Sequence, residues 1–341
     1  MRIKIIILLF ILCFTSFSCS TMIIGPDPEN TPENNFDILW RDFDQTYSLF
    51  EIKQVNWDSA YSVFRPRVTA STTGAQLFSV ISEMLDLLKD GHVNIYTSSG
   101  NYSYDFLHHK RWKSNSPGFS KIATRYLASW NANGTIAYGR LSDDIGYIYI
   151  STFGSESDKY QWIDYALTAL SGVKGIIIDI RDNGGGSDSN SKTIAGRFAD
   201  KKRLYRYFKY KNGPGHNDFA RLQEDFIEPS GNMQFTRPAV LLTNRYVFSA
   251  AEDFVLAMKE FPHVTVLGDT TGGGLGNPVN RELPNGWKYR LPRWVEYDSE
   301  MKCYEGIGYP PDIPVWTDEE SLKTGKDWVL EQAAEYLKGK L

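Results

Sequence analysis

The hydrophobic positions after residue 35 recur with the spacing of amphipathic helices. In "FDILWRDFDQTYSLF", which begins at Phe36, apolar side chains lie three or four residues apart and line one face of a helix. "TTGAQLFSVISEMLDLLKDGH" repeats this spacing, and Thr72 or Thr73 is the candidate cap of its N-terminus. The sequence therefore predicts a small helical N-terminal region over residues 36–92.

The pattern changes to that of a sheet near residue 141. "IGYIYISTF" alternates like a strand, whereas "VKGIIIDIRDNGGG", "PAVLLTN" and "HVTVLGD" contain continuous apolar runs, which are typical of strands buried on both faces. Helical patterns lie between them, and such alternation predicts an α/β core over residues 141–341. Residues 93–140 are mixed and aromatic, and we interpret them as a connecting segment.

The first residues have the pattern of an export signal. "MRIK" supplies positive charge, and "IIILLFILCF" is too short to span a bilayer well. "SFSC" then ends at Cys19, which resembles a bacterial lipoprotein signal; an ordinary cleaved signal is the alternative. We predict a signal over residues 1–19, a lipid anchor on Cys19, a flexible tether over residues 20–35, and a location in the bacterial cell envelope.

Composition narrows the function classes for this chain of 341 residues. A net charge of −4, a pI near 5.8 and the lack of a long basic run argue against nucleic acid as the main partner. The five histidines form no HExxH motif and no Cys/His grid, so no zinc site is expected. Beyond the signal and Cys19, the internal cysteine is Cys303, so no disulfide framework is predicted.

Ser249 lies where an apolar strand pattern meets a helix pattern, in "NRYVFSAAEDFVLAMKEF". A strand-to-helix joint exposes its side chain, and the first N–H groups of the helix favour negative charge nearby. Ser249 is therefore a candidate nucleophile, although serine is also a common helix cap. A serine nucleophile needs a base, because its free hydroxyl reacts poorly.

Three other segments hold candidate chemistry. The glycines that end "IIIDIRDNGGG" leave backbone N–H groups uncovered for an anion, although a plain turn is the alternative. Asp179 and Arg181 lie on the same face of that strand by two-residue alternation. A structural role is one interpretation of them, and the pattern leaves it open. Taken alone, His92 in "LLKDGHVNI" is typical of a surface or capping histidine. Glu305 in "CYEGIGYPPDIPV", taken alone, is typical of a solvated glutamate.

Taken in order, "DGH", "DIRDNGGG", "SAAEDF", "GDTTGGG" and "EGIGYPPD" resemble one serine peptidase family. It comprises the tail-specific (carboxy-terminal processing) proteases, the tricorn core protease and the interphotoreceptor retinoid-binding protein modules. The resemblance runs from Leu85 to the C-terminus and includes the closing "LKTGKDWVLEQAAEYL". It implies a crotonase/ClpP-like βαβ core and a small helical N-terminal region.

The resemblance also assigns roles. Ser249 matches the nucleophile, and the N–H of Ala250, with one from Gly185 or Gly186, matches the oxyanion hole. No metal or organic cofactor is needed. Gly274 stands where the lysine branch of the family has its base, which excludes a Ser–Lys dyad at that position.

The tricorn-like branch instead uses a histidine base supported by a glutamate. His92 and Glu305 match them, but Gly91 replaces the serine that links them in that branch. A link between the two is then direct or through water. Glu252 matches an acidic position of the lysine branch, or it only caps its helix.

The predicted function is that of an exported serine endopeptidase acting on a peptide or protein. No PDZ domain is recognisable in residues 93–140, so a preference for C-terminal tails does not carry over. A catalytically silent protein that binds a peptide or apolar ligand in the same cleft is the alternative. A crotonase-type acyl-CoA enzyme is a weaker one, because CoA thioesters are cytoplasmic substrates.

Overall fold

The computed structural model describes residues 28–104 and 115–341. The predicted signal, Cys19 and the tether up to residue 27 lie outside the described residues. Within them, no helix has the length and apolar character needed to cross a membrane.

Most helices of the described chain begin at a polar N-cap residue. Of the two predicted caps Thr72 and Thr73, it is Thr73 that caps the helix after it, and it forms a capping box with Gln76. The α-helices are α1 (Pro32–Thr46), α2 (Phe50–Lys53), α3 (Trp57–Phe64), α4 (Gly74–Asp86), α5 (Phe119–Tyr126), α6 (Trp162–Ala169), α7 (Asp188–Ala195), α8 (Ala250–Lys259), α9 (Glu319–Lys323) and α10 (Trp328–Lys338).

The strands form three sheets. They are β1 (Asn94–Tyr96), β2 (Asn101–Ser103), β3 (Trp130–Ala132), β4 (Ile136–Arg140), β5 (Ile145–Ile150), β6 (Gly175–Asp179), β7 (Arg203–Tyr210), β8 (Gln223–Ile227), β9 (Ala239–Thr243), β10 (Val264–Gly268), β11 (Pro278–Glu282), β12 (Lys288–Pro292), β13 (Trp294–Asp298) and β14 (Ile313–Pro314).

The main sheet has the strand order β14-β10-β9-β6-β5-β4-β3. From β14 to β5 the neighbours are parallel, and β4 and β3 continue the sheet antiparallel. Because β6 and β9 are parallel neighbours, the loops that follow them meet at one edge of the sheet. The glycine run and Ser249 lie in these two loops.

Alternation along the strands buries both faces of this sheet, as the continuous apolar runs predicted. Ile176 and Ile178 of β6 face a core that includes α6, α7 and α8. Ile177 faces the opposite core, which includes α5 and α10. The mixed α/β architecture that the sequence predicted is therefore present.

A further core joins the N-terminal helices to the rest of the chain. Aromatic and aliphatic side chains of α1 to α4 pack there with residues of β1, β12 and β13. β1 pairs with β12 in the four-stranded sheet β11-β12-β1-β2. The segment that carries His92 is thus fixed by the helices before it and by a strand near the C-terminal part of the chain.

Two boundaries in the structure differ from those that the sequence predicted. Helix α1 begins at Pro32, with Thr31 accepting from the N–H of Asn34, so residues 32–35 belong to the helix and not to the tether. β3 and β4 belong to the main sheet, which therefore begins before residue 141. β7, β8 and β13 form a three-stranded sheet that the sequence pattern did not indicate.

Candidate active site

Ser249 has an unusual backbone conformation. Its φ of 56° and ψ of −132° place it in a region that side-chain-bearing residues rarely adopt. The helix caps Thr31 and Thr73 do not share it: they have φ of −114° and −72°, in the extended range usual for an N-cap. The conformation turns the chain sharply between β9 and α8 and leaves Ser249 half-buried.

The loop after β6 lies directly against this turn. A Cβ on Gly185 would stand 2.5 Å from the carbonyl oxygen of Phe248 and 2.9 Å from Cβ of Ser249. Asn183 holds the loop, since its Oδ1 accepts from the N–H of Gly185 at 2.9 Å and its carbonyl accepts from that of Phe248 at 3.2 Å. Only glycine fits at residue 185, whose φ is +93°.

His92 follows α4 and is buried. The Asp90 carboxylate accepts from the His92 backbone N–H at 2.8 Å and from the Tyr47 hydroxyl at 2.7 Å. The imidazole packs on the Phe248 ring, with 4.8 Å between the ring centroids. Since Phe248 directly precedes Ser249, this contact brings the His92 segment to the start of α8.

Ser249 and His92 line one cleft of about 260 Å³, together with Ala250 and Gly186. Its walls are mainly polar. The other residues of the lining are Ser187, Asp188, Asp253, Gly274, Leu275, Asn277, Pro278, Arg290 and Trp294.

Glu305 is buried close to this cleft. Its Oε2 accepts from the N–H of Leu275 at 2.7 Å, and its Oε1 forms an ion pair with Nζ of Lys53 at 2.8 Å. Burial raises the pKa of Glu305 to about 7, while Lys53 acts to lower it and Asp90 to raise it. The carboxyl therefore changes charge near neutral pH.

Glu252 is fully buried in the first turn of α8 and binds the second glycine run, Gly272 to Gly274. Its carboxylate accepts from the Thr271 hydroxyl at 2.6 Å and from the N–H groups of Gly273 and Gly274 at 2.8 and 2.7 Å. It also accepts from the N–H of Ser249 at 3.1 Å. Burial raises the pKa of Glu252 to about 7 against these hydrogen bonds. Glu252 thus fixes both the turn and the glycine run.

The second glycine run has no room for a side chain at residue 274. A Cβ on Gly274 would lie 1.9 Å from Cζ of Phe248. The aromatic ring that contacts His92 therefore covers the place where the lysine branch has its base.

The structure brings Ser249, Ala250, Gly186 and His92 to one cleft, with Gly185, Glu252 and Glu305 packed around it. Sequence reasoning missed Lys53, Asp90 and Asn183. Asp90 and Asn183 stand inside the motifs "DGH" and "DIRDNGGG", so the motifs offered a signal for them. Lys53 stands in "FEIKQVN", which offers none.

The sequence models of two protein families match this chain. The sequence model of Peptidase family S41 matches residues 144–315, a span that holds both Ser249 and Glu305. The chain belongs to peptidase family S41. By family it is a serine-type peptidase, in agreement with the resemblance inferred from the motifs. A second model, that of the tricorn protease C1 domain, matches residues 28–86 and covers the N-terminal helices.

Several curated proteins are similar to this S41 chain. The carboxy-terminal processing protease CtpA of Bacillus subtilis is 30% identical over 175 residues, which are 50% of this chain and 35% of that protein. The tricorn protease of Thermoplasma volcanium is 25% identical over 213 residues, which are 62% of this chain and 19% of that protein. The matches therefore cover well under half the length of these relatives.

Solved structures of other proteins share the fold of this chain. A crystal structure from Parabacteroides merdae is 36% identical, has a TM-score of 0.81 and covers 91% of this chain and 97% of its own. The photosystem II D1 C-terminal processing protease is 18% identical with a TM-score of 0.56, and covers 88% of this chain and 98% of its own. At that identity the likeness shows the fold alone.

Proposed function

We propose that the chain is an exported serine endopeptidase that hydrolyses peptide bonds through an acyl-enzyme. Ser249 is the nucleophile, His92 the general base and Glu305 the supporting carboxylate. The observation that carries the proposal is the conformation of Ser249. A helix cap needs only an extended backbone, whereas φ of 56° is a strained state that the fold maintains at the mouth of a cleft.

In the proposed first step, Oγ of Ser249 attacks the carbonyl carbon of the scissile bond while His92 accepts the hydroxyl proton. The tetrahedral intermediate then collapses, the C–N bond breaks and His92 passes the proton to the leaving amine. In the second step, water gives a proton to His92 and attacks the acyl-enzyme. The acid product leaves and Ser249 recovers its proton.

The oxyanion formed in both steps needs donors close to Ser249. Ala250 is the first residue of α8, so its N–H has no partner within the helix. The N–H of Gly185 already donates to Asn183, and Gly186 lines the cleft. We therefore assign the hole to the amides of Ala250 and Gly186, with Gly185 providing the close approach. One such donor is typically worth about 2.7–4 kcal/mol of transition-state stabilisation.

Glu305 supports the histidine as the third member of a triad does, by orienting the imidazole and stabilising its protonated form. Each carboxylate oxygen can accept two hydrogen bonds. Oε1 and Oε2 each have one partner described above, so both retain capacity for the imidazole or for a bridging water. Because Gly91 replaces the linking serine, the contact is direct or through one water.

We further propose a crotonase/ClpP-like core around the site and a location in the bacterial envelope. The parallel strands β5, β6, β9 and β10 with their helices form a crotonase/ClpP-like core. The protein is exported and anchored in the bacterial envelope by a lipid on Cys19. Metabolic labelling with an alkyne fatty acid should mark the wild type and leave Cys19→Ala unmarked; equal labelling of both would remove the lipid assignment.

A fluorophosphonate probe tests the catalytic assignment without knowledge of the substrate. The wild-type protein should be labelled on Ser249, identified by peptide mass spectrometry, and Ser249→Ala should not. His92→Ala should be labelled far more slowly, because the hydroxyl then lacks its base. A folded wild type that resists labelling favours the alternative, a non-catalytic protein that binds a peptide or apolar ligand in this cleft.

A further inference from the structure

We propose that Lys53, from the N-terminal helices, is a positioning residue of the peptidase: it holds Glu305 in its charged form and in the orientation that supports His92. This inference rests on the proposed function and adds a role for residues outside the span matched by the S41 model.

The contacts of Lys53 are specific. Its ammonium group lies 2.8 Å from Oε1 of Glu305 and donates to the carbonyl oxygen of Lys89 at 3.1 Å. The Lys53 side chain is 9% exposed and that of Glu305 1%. Lys89 lies in the segment that leads to His92, so one ammonium group touches both the supporting carboxylate and the chain that carries the base.

Glu305 faces an excess of acidic groups, which makes this cation important. Burial and Asp90 oppose ionisation of the Glu305 carboxyl, and Glu305 in turn raises the pKa of the nearby Glu252. Tyr47 and Cys303 are also close enough to interact with it, and burial raises the pKa of the Cys303 thiol to about 11. The Lys53 ammonium group interacts with both Glu305 and Asp90.

The consequence for catalysis follows from charge. A neutral Glu305 cannot stabilise the imidazolium that forms when His92 takes the serine proton. An opposite charge within about 4–6 Å typically lowers a carboxyl pKa by about 1–3 units. Without Lys53, Glu305 should therefore remain protonated to higher pH, and the base should be supported only under alkaline conditions.

The test measures the second-order rate of fluorophosphonate labelling as a function of pH for the full chain. We expect the pH at half-maximal rate to rise by about 1–3 units in Lys53→Met. Lys53→Arg keeps the charge and should remain near the wild type. Lys174→Met is the matched control, because Lys174 pairs with Asp144 in an exposed ion pair at 3.2 Å.

A double variant separates positioning from folding. Lys53→Met removes the partner of a buried carboxylate, so its fold is checked by circular dichroism. In a Glu305→Gln background the same change should leave the labelling rate and its pH profile unaltered, because Lys53 acts through the charge of Glu305. If Lys53→Met does not fold, Lys53→Gln, which keeps a hydrogen-bond donor without the charge, replaces it in both backgrounds.

The outcomes distinguish the two proposals. An unshifted profile in folded Lys53→Met, or a further loss when it is added to Glu305→Gln, overturns the role of Lys53. Absence of Ser249-dependent labelling in the wild type overturns the proposed function itself.

Discussion

At the scale of single residues, the site depends on a few positions where the backbone is forced. Ser249 and Gly185 both have positive φ, and they touch across the turn between β9 and α8. Strain at a non-glycine residue costs about 1–3 kcal/mol. The surroundings offset it, because Glu252 accepts the Ser249 N–H and Asn183 fixes the adjoining loop.

Gly185→Ala should reduce the second-order rate constant of fluorophosphonate labelling by about 10²–10³-fold, which is the effect of losing one oxyanion donor. The new Cβ would meet the Phe248 carbonyl at 2.5 Å and push the glycine run away from Ser249. Gly184→Ala is the control, because nothing lies within 4 Å of its Cβ position. Equal rates for the two variants would contradict the close approach.

The motifs marked candidate residues that lie near one cleft in the structure, but they did not mark residues that meet those candidates only in space. Ser249, His92 and Glu305 belong to ordered motifs, and the structure packs all three around one cleft. Lys53 pairs with Glu305 across most of the chain. Nothing in a local apolar pattern distinguishes a lysine that turns inward from one that stays in water.

At the scale of elements, a buried ion network ties the strand before the glycine run to the last helix. Arg181 donates to Asp179 at 2.9 and 2.6 Å and to Asp327 at 3.0 and 2.6 Å. Tyr147 donates to the same Asp179 at 2.8 Å. Asp179 and Arg181 therefore have the structural role that the sequence left open.

Asp327→Asn should destabilise the protein by about 3–5 kcal/mol, because it leaves the buried Arg181 with one carboxylate partner fewer. The amide keeps an oxygen that can still cap α10, as the Asp327 side chain caps it through the N–H of Leu330. Glu335→Gln on the exposed side of the same helix should change stability by less than about 1 kcal/mol. Urea denaturation measures both, and similar losses would refute the role of the network.

The elements that could be predicted are those with a strong period. β5, β6, β9 and β10 match the apolar runs, and α8 begins where the pattern changes after Ser249. β1 and β2 have three residues each, so no period can develop in them. Their pairing with β12 depends on contacts between distant segments, which a local pattern does not record.

At the scale of the whole molecule, the site concentrates buried acid. Burial raises the pKa of both Glu252 and Glu305 to about 7 and raises those of Asp253 and Glu296 as well. Arg206 compensates Asp253 and Glu296 through contacts at 3.0 and 2.9 Å. Burial therefore favours the protonated form of these carboxyl groups, whereas the cations Lys53 and Arg206 favour the charged form of their partners.

Burial of Glu305 makes stability and activity depend on pH in opposite directions. Between pH 4.5, the ordinary value, and about 7, the folded state holds more protons on Glu305 than the unfolded chain does. The contribution of Glu305 to the free energy of unfolding must then fall as the pH rises through this window. His263 acts in the opposite direction, because burial lowers its pKa and favours its neutral form. In the proposed mechanism Glu305 acts in its ionised form, so activity should rise over the upper part of the window in which its contribution to stability falls.

Chemical denaturation between pH 5 and 8 tests this opposition. The fall in stability with pH should be smaller in Glu305→Gln than in the wild type by about 3 kcal/mol, since each unit of pKa shift corresponds to 1.36 kcal/mol. The exposed Glu224→Gln should retain the wild-type slope. If the slopes of wild type and Glu305→Gln coincide, Glu305 is ionised at all these pH values. Lys53 would then be sufficient to neutralise its burial, and the acid limb of activity would report His92 alone.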